Sequence, residues 1–181
     1  MLETYIGLLR GINVGGKNKL PMADLSRMCR DIGCQDVQTY IQSGNVVFRA
    51  AAGQDRELAE RLSARILEEK GLRVPLVIRT RAEFETVVPA NPFLAAGADP
   101  DTILVMFLAA SPTPEALQSL DPERSPGDRF QVVGREIYCQ FGNGLRDTKL
   151  TNDYFDRRLK TTSTGRNWRT VLKLLELAST P

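Results

Sequence analysis

Residues 4–12 are apolar with little alternation, the pattern of a short strand covered on both faces, and the glycine-rich stretch from Gly11 to Leu20 ends it. Pro21 then stands where proline favours a helix start. Met22, Leu25, Met28, Cys29 and Ile32 follow at helical spacing, with Gly33 as the stop. Residues 36–42 and 45–49 predict two strands joined by a tight turn at Ser43-Gly44. Over residues 54–70, Leu58, Leu62 and Ile66 with Ala59 and Leu67 make an apolar stripe closed by Gly71, and residues 74–80 predict another strand. The order strand, helix, strand, strand, helix, strand predicts an α+β fold opening with a ferredoxin-like split βαβ unit (βαββαβ), two helices lying on one face of an antiparallel sheet.

Beyond residue 80 the pattern loosens and then begins again. Residues 81–100 predict a helix and a connector marked by Pro89, Pro92 and Gly97. Residues 102–109 form a strong strand pattern, 114–120 a short helix, and 129–133 with 136–141 a hairpin turning near Gly134. The expected organisation is a ferredoxin-like subdomain over 1–80, the connector over 81–100, and over 101–181 a second βαββ-type subdomain with C-terminal helices at 150–159 and 167–178. The repeated strand-helix-hairpin order suggests a duplication, although no residue-level repeat is visible.

Composition narrows the function classes. At 181 residues, 42% hydrophobic and 25% charged, the chain is an ordinary globular one with enough material for a core. The longest apolar run, 103–110, is far short of the roughly 20 residues of a spanning helix, and the first residues lack a basic leader, so no membrane partner is expected and the cytoplasm is the expected compartment. The chain has no histidine, which removes the usual general base, the Ser-His and Cys-His nucleophile pairs and the commonest zinc ligand. Cys29, Cys34 and Cys139 have no metal-ligand spacing and are expected to be reduced core thiols; the residues name no metal and no cofactor.

Charge is unevenly placed. From Arg146 to Lys173 eight basic residues face three acidic ones, a local charge of +5 in a chain whose total is +2. Such a run is either a solvated helix surface or a face for phosphate groups. Near the other end, Gly11, Gly16 and Lys17 fit the first part of the phosphate-loop pattern G-x-x-x-x-G-K-[ST], but Asn18 stands in place of the hydroxyl residue that holds magnesium, and Pro21 puts the helix start several residues late. The pattern therefore argues against an NTPase. It leaves a loop in which Arg10, Asn13, Gly15, Gly16, Lys17, Asn18 and Lys19 either hold an anion or form a solvated connector.

Two further clusters carry candidate ligand-binding groups. Gln42, Ser43 and Asn45 sit at the hairpin turn, where they either bond their own backbone or, if the turn meets the glycine loop, reach a ligand. Arg166, Asn167 and Arg169 lie at the start of the last helix, in a hydroxyl-rich stretch read as a helix cap; the arginines would hold phosphate or carboxylate there, or Asn167 or Thr164 simply caps the helix over a buried Trp168.

The stretches LLRGINVGGKNKLPMADL, TYIQSGNVVF, NPF at 91–93, KLTNDYF and GRNWRTVLKL together resemble the domain-of-unknown-function 1697 family from about residue 3 to residue 178. The resemblance implies a bacterial-type α+β protein of ferredoxin-like architecture and no established activity. The leading expectation is a binding module for a phosphate-bearing partner, small molecule or nucleic acid, in which the glycine loop and the arginines near the C-terminus share one pocket. Two alternatives stand beside it: an enzyme acting on a small phosphorylated or carboxylated substrate with Lys17 or Tyr40 as acid or base, and an assembly protein whose strand edges pair in a homodimer.

Overall fold

The computed structural model describes residues 1–142 and 144–179. The fold is α+β and divides into two compact units, residues 1–86 with 173–181, and residues 87–172.

In the first unit, β1 (Leu2–Leu9), α1 (Met22–Asp31), β2 (Gln35–Tyr40), β3 (Asn45–Ala51), α2 (Asp55–Lys70) and β4 (Leu76–Thr80) follow in that order. The strands lie side by side as β2-β3-β1-β4, every neighbour antiparallel. Each strand-helix-strand passage therefore steps over one strand that belongs to the other passage. Alternate residues of the sheet, Tyr5, Leu9, Val46, Phe48, Leu76 and Ile78, join Leu25, Met28 and Cys29 of α1 and Leu58, Leu62 and Ile66 of α2 in one buried cluster. The spacing of four between the α2 residues keeps them on one stripe, and burying each contributes about 1.5–3 kcal/mol. Gly71 at φ +66° closes α2 in the left-handed conformation that suits glycine. The next helix, α3 (Arg81–Val87), starts with a reciprocal cap: Glu83 Oε2 accepts from the Thr80 N–H at 2.9 Å, and Thr80 Oγ1 accepts from the Glu83 N–H at 3.2 Å.

The second unit opens with the short α4 (Pro92–Ala95), capped by Asn91 Oδ1, which accepts from the N–H groups of Phe93 and Leu94. It continues with β5 (Ile103–Leu108), α5 (Pro114–Gln118), β6 (Asp128–Val133), β7 (Glu136–Phe141), α6 (Asn152–Leu159) and β8 (Ser163–Asn167), and α7 (Trp168–Ser179) follows. Its sheet order is β6-β7-β5-β8, again antiparallel throughout. This is the strand order of the first unit. The correspondence reaches single residues: Arg79 pairs with Ile6 and Ile6 with Val47, while Arg166 pairs with Val105 and Val105 with Tyr138, and both arginines are buried.

The strand β8 departs from the sequence reading, which made residues 161–167 a hydroxyl-rich cap and ended the second subdomain's sheet at the β6–β7 hairpin. The polar residues here are strand residues whose hydroxyls are consumed inside the fold. Ser163 is fully buried; its N–H and Oγ–H both donate to Asp156 Oδ1, at 2.8 and 2.6 Å, and its Oγ accepts from Asn152 Nδ2 at 2.8 Å. With α6 supplying the partners, a sequence of Ser, Thr and Gly sits in a sheet without an apolar pattern to announce it.

Candidate functional site

In the first unit the glycine loop is a miniature hairpin. The Lys17 N–H donates to the Val14 carbonyl at 3.0 Å and the Asn13 N–H to the Asn18 carbonyl at 3.1 Å, around Gly15 at φ +57° and Gly16 at φ +75°. Two consecutive positive φ angles are what a primed two-residue turn requires, and Gly-Gly meets that at no steric cost. Asn13 and Asn18 are also left-handed, at φ +54° and +48°, a conformation asparagine tolerates better than most residues. The helix α1 begins only at Met22, so its N-terminus does not continue the turn.

Asn13 holds this loop in place. Its Nδ2 donates to the carbonyls of Leu20 and Gln42, each at 2.8 Å, and its Oδ1 accepts from the Leu20 N–H at 2.9 Å. Asn18 Nδ2 donates to the Gly11 carbonyl at 2.8 Å. The loop and the β2–β3 turn thus converge, joined a second time where the Leu9 N–H donates to the Gly44 carbonyl at 2.8 Å. The turn has its own internal brace: Asn45, fully buried, donates to the Tyr40 carbonyl at 3.1 Å and to Ser43 Oγ at 3.0 Å. The side chains of Asn13, Asn18 and Asn45 are therefore engaged in building the surface.

The charged groups of the loop that face solvent are cationic. Lys17 and Lys19 are exposed, and among the described residues neither has an ion pair. No hydrogen bond engages the exposed amides of Gly15 and Gly16 among the described residues. Arg10 is half-buried and donates its N–H to the Pro75 carbonyl at 2.9 Å. Between Glu3 and Asp24 the chain carries Arg10, Lys17 and Lys19 and no carboxylate. Gln42 and Ser43 are exposed beside them. Val14 and Ile41 are also exposed here; Ile41 belongs to the strand predicted over residues 36–42, where the spacing makes it an inward or cross-strand partner, but it lies past the end of β2 at φ +48°, where a β-branched residue is strained.

Arg166, Asn167 and Arg169 belong to the second unit. Arg166 lies on β8 with its side chain buried, donating to Thr164 Oγ1 at 2.9 Å and to the Gly165 carbonyl at 2.8 Å. Burial pushes its guanidinium down to about 10, which leaves it charged at neutral pH. Asn167 Oδ1 accepts from the Thr170 N–H at 2.8 Å and so caps α7. Trp168 is buried, and Arg169 is exposed and paired with Asp101 at 2.9 Å. Asn167, Trp168 and Arg169 line a cleft of about 260 Å³ with Pro100, Asp101 and Leu145, in which the Asp101 carboxylate offsets the Arg169 charge. The two arginines are thus differently placed: one is engaged within its own strand, and the other is at the surface beside a carboxylate.

Fold and site together define an α+β protein of two like-ordered four-stranded antiparallel sheets, with a cationic glycine hairpin on the first. The chain matches the family described as "Protein of unknown function (DUF1697)" over residues 2–138, and it belongs to that family. The matched residues hold the loop and turn stretches, whereas KLTNDYF and GRNWRTVLKL lie beyond them. Among solved structures, the conserved bacterial protein SP0830 from Streptococcus pneumoniae is similar in fold, with a TM-score of 0.71 at 21% identity over 99% of this chain and 100% of that one. No curated protein matches the chain. Among the described residues no helix is long and apolar enough to cross a membrane.

Proposed function

We propose that this chain is a cytoplasmic binding module for a phosphate-bearing partner, and that its first unit, on a ferredoxin-like frame, presents the binding surface. The observation that carries this reading is the joining of the glycine hairpin to the β2–β3 turn through Asn13 and Gln42. That join brings the loop bearing the exposed Lys17 and Lys19 and the unengaged amides of Gly15 and Gly16 up to the turn bearing the exposed Gln42 and Ser43, and residues 4–23, which hold the loop, carry no carboxylate. Ammonium groups and outward amides suit phosphate oxygens. Lys17, Lys19, Gln42 and Ser43 are all exposed, which favours a nucleic acid lying along them over a small nucleotide that needs enclosure. Arg166 and Arg169 are engaged by their own strand and by Asp101, so the reading rests on the first unit's residues.

The test is a fluorescence-anisotropy titration of a labelled single-stranded oligonucleotide at stepped salt, with ATP as the small-nucleotide competitor. The expected result is saturable binding whose affinity falls steeply as salt rises, weakened by Lys17→Glu with Lys19→Glu. Failure to bind, or an isotherm indifferent to both salt and the charge reversals, overturns the proposal.

A further inference from the structure

The end of α1 is a Schellman motif with cysteines at the two positions that the motif brings together. Gly33, at φ +95°, donates its N–H to the Arg30 carbonyl at 2.9 Å, and Cys34 donates its N–H to the Cys29 carbonyl at 3.0 Å. In this motif the side chain three positions before the cap and the one two positions after it meet over the helix end. Here these are two free thiols, both in the core cluster of the first unit. The bond from the Cys34 N–H to the Cys29 carbonyl draws the two residues together at the helix end, the kind of close pairing a disulfide needs, since it spans a Cα separation of roughly 4.4–6.8 Å. We propose that Cys29 and Cys34 form a dithiol site that hydroperoxides oxidise to an intramolecular disulfide.

The two sulfurs are unequal, which sets the order of events. Cys34 keeps 4% exposure at the helix end, while Cys29 and Cys139 have none. The neighbouring Cys29 side chain, and after it the charge of the Arg61 guanidinium, hold the Cys34 thiol below the usual thiol range. Arg61 is anchored at this turn by its bond to the Ile32 carbonyl at 2.8 Å. Cys29 is shifted the opposite way, first by the neighbouring Cys34 and then by burial. The more acidic, more accessible thiol is the attacking group, and its neighbour resolves the product.

The Cys34 thiolate attacks one oxygen of hydrogen peroxide; the O–O bond breaks, hydroxide leaves and takes up the proton the thiol had released, and Cys34 becomes a sulfenic acid. The Cys29 sulfur then attacks the Cys34 sulfur. The S–O bond breaks, and the departing hydroxide takes the Cys29 proton to leave as water. Two thiols and one peroxide become one disulfide and two waters. Cys139, alone in the second unit and held well above the usual thiol range by burial, serves as an internal control.

The experiment treats the full chain with hydrogen peroxide, quenches, denatures, alkylates with iodoacetamide and digests with trypsin without reductant. Cleavage after Arg27, Arg30 and Arg49 separates the two cysteines into fragments 28–30 and 31–49. The expected result is a species in which these fragments are joined, two hydrogens lighter than their sum and separable by dithiothreitol, with Cys139 alkylated. Cys139→Ser gives the same species. In Cys29→Ala, where the resolving thiol is gone, dimedone is expected to label Cys34. Recovery of alkylated Cys29 and Cys34 after peroxide, a bond to Cys139 or to a second chain, or no dimedone adduct in Cys29→Ala overturns the proposal.

Discussion

The side-chain amide of Asn13 donates to the backbone carbonyl of Gln42 at 2.8 Å, from a left-handed backbone at φ +54°. The same side chain makes two more bonds to Leu20. One amide thus fixes both the base of the glycine hairpin and its distance from the next turn. Asn13→Ala removes all three bonds and places alanine at a positive φ, and the expected loss is about 2 kcal/mol because the bonds are partly solvated. Urea denaturation measures it; Asn13→Asp, which keeps Oδ1 for the Leu20 N–H, is expected to lose less.

Gly44 packs closely against the end of β1. A Cβ there would lie 2.6 Å from the Leu9 Cβ and 2.8 Å from the Ile12 Cδ1, at φ +80°. Both the contact and the backbone angle oppose a side chain, so Gly44→Ala is expected to destabilise by about 2–4 kcal/mol. A thermal melt shows it as a lowered Tm; an unchanged Tm would mean that the turn relaxes freely away from β1.

If the first unit binds nucleic acid through phosphates, the exposed lysines each displace a counterion. Lys17→Ala and Lys19→Ala are each expected to lower the magnitude of the log-affinity against log-salt slope by about 1, across oligonucleotide sequences alike. Arg169→Ala, whose partner is Asp101, is expected to leave the slope nearly unchanged.

Acid weakens two ion pairs in the first unit. Asp24 is held below its ordinary 3.8 by its hydrogen bond with Lys70, and Glu69 below its ordinary 4.5 by its hydrogen bond with Arg27. Both carboxylates have a lower pKa folded than unfolded, so their stabilisation is present above the unfolded values and is lost as pH falls through the lowered ones. Stability therefore declines below about pH 4. Lys70→Ala with Arg27→Ala is expected to flatten that acid limb in chemical denaturation between about pH 5 and pH 2.

The sequence was readable where one residue type decides the outcome. Gly33 and Gly71 marked helix ends, and the i, i+4 apolar spacing of Leu58, Leu62 and Ile66 marked a buried face. It was opaque at β8, because Ser163 is held by Asp156 and Asn152 of a helix that periodicity alone cannot dock on it. The site was half legible. Glycines and lysines in residues 11–19 flagged the loop, and Gly-Gly between Val14 and Lys17 was a readable hairpin signal. That Asn13, Asn18 and Asn45 serve as braces depended on partners as distant as Gln42. Exposed Ile41, strained at φ +48°, has no signature in composition or spacing.

The repeated strand order carries its own control experiment. Between the first strand and first helix of the N-terminal half runs the long passage 10–21; at the matching place in the second half, β5 passes to α5 through residues 109–113, with no glycine and no lysine. One frame therefore exists twice in a single polypeptide, once with the cationic protrusion and once without. Grafting 10–21 onto the shorter junction, or trimming it to match, asks whether the protrusion confers its chemistry on any sheet of this order or needs the neighbours it has now.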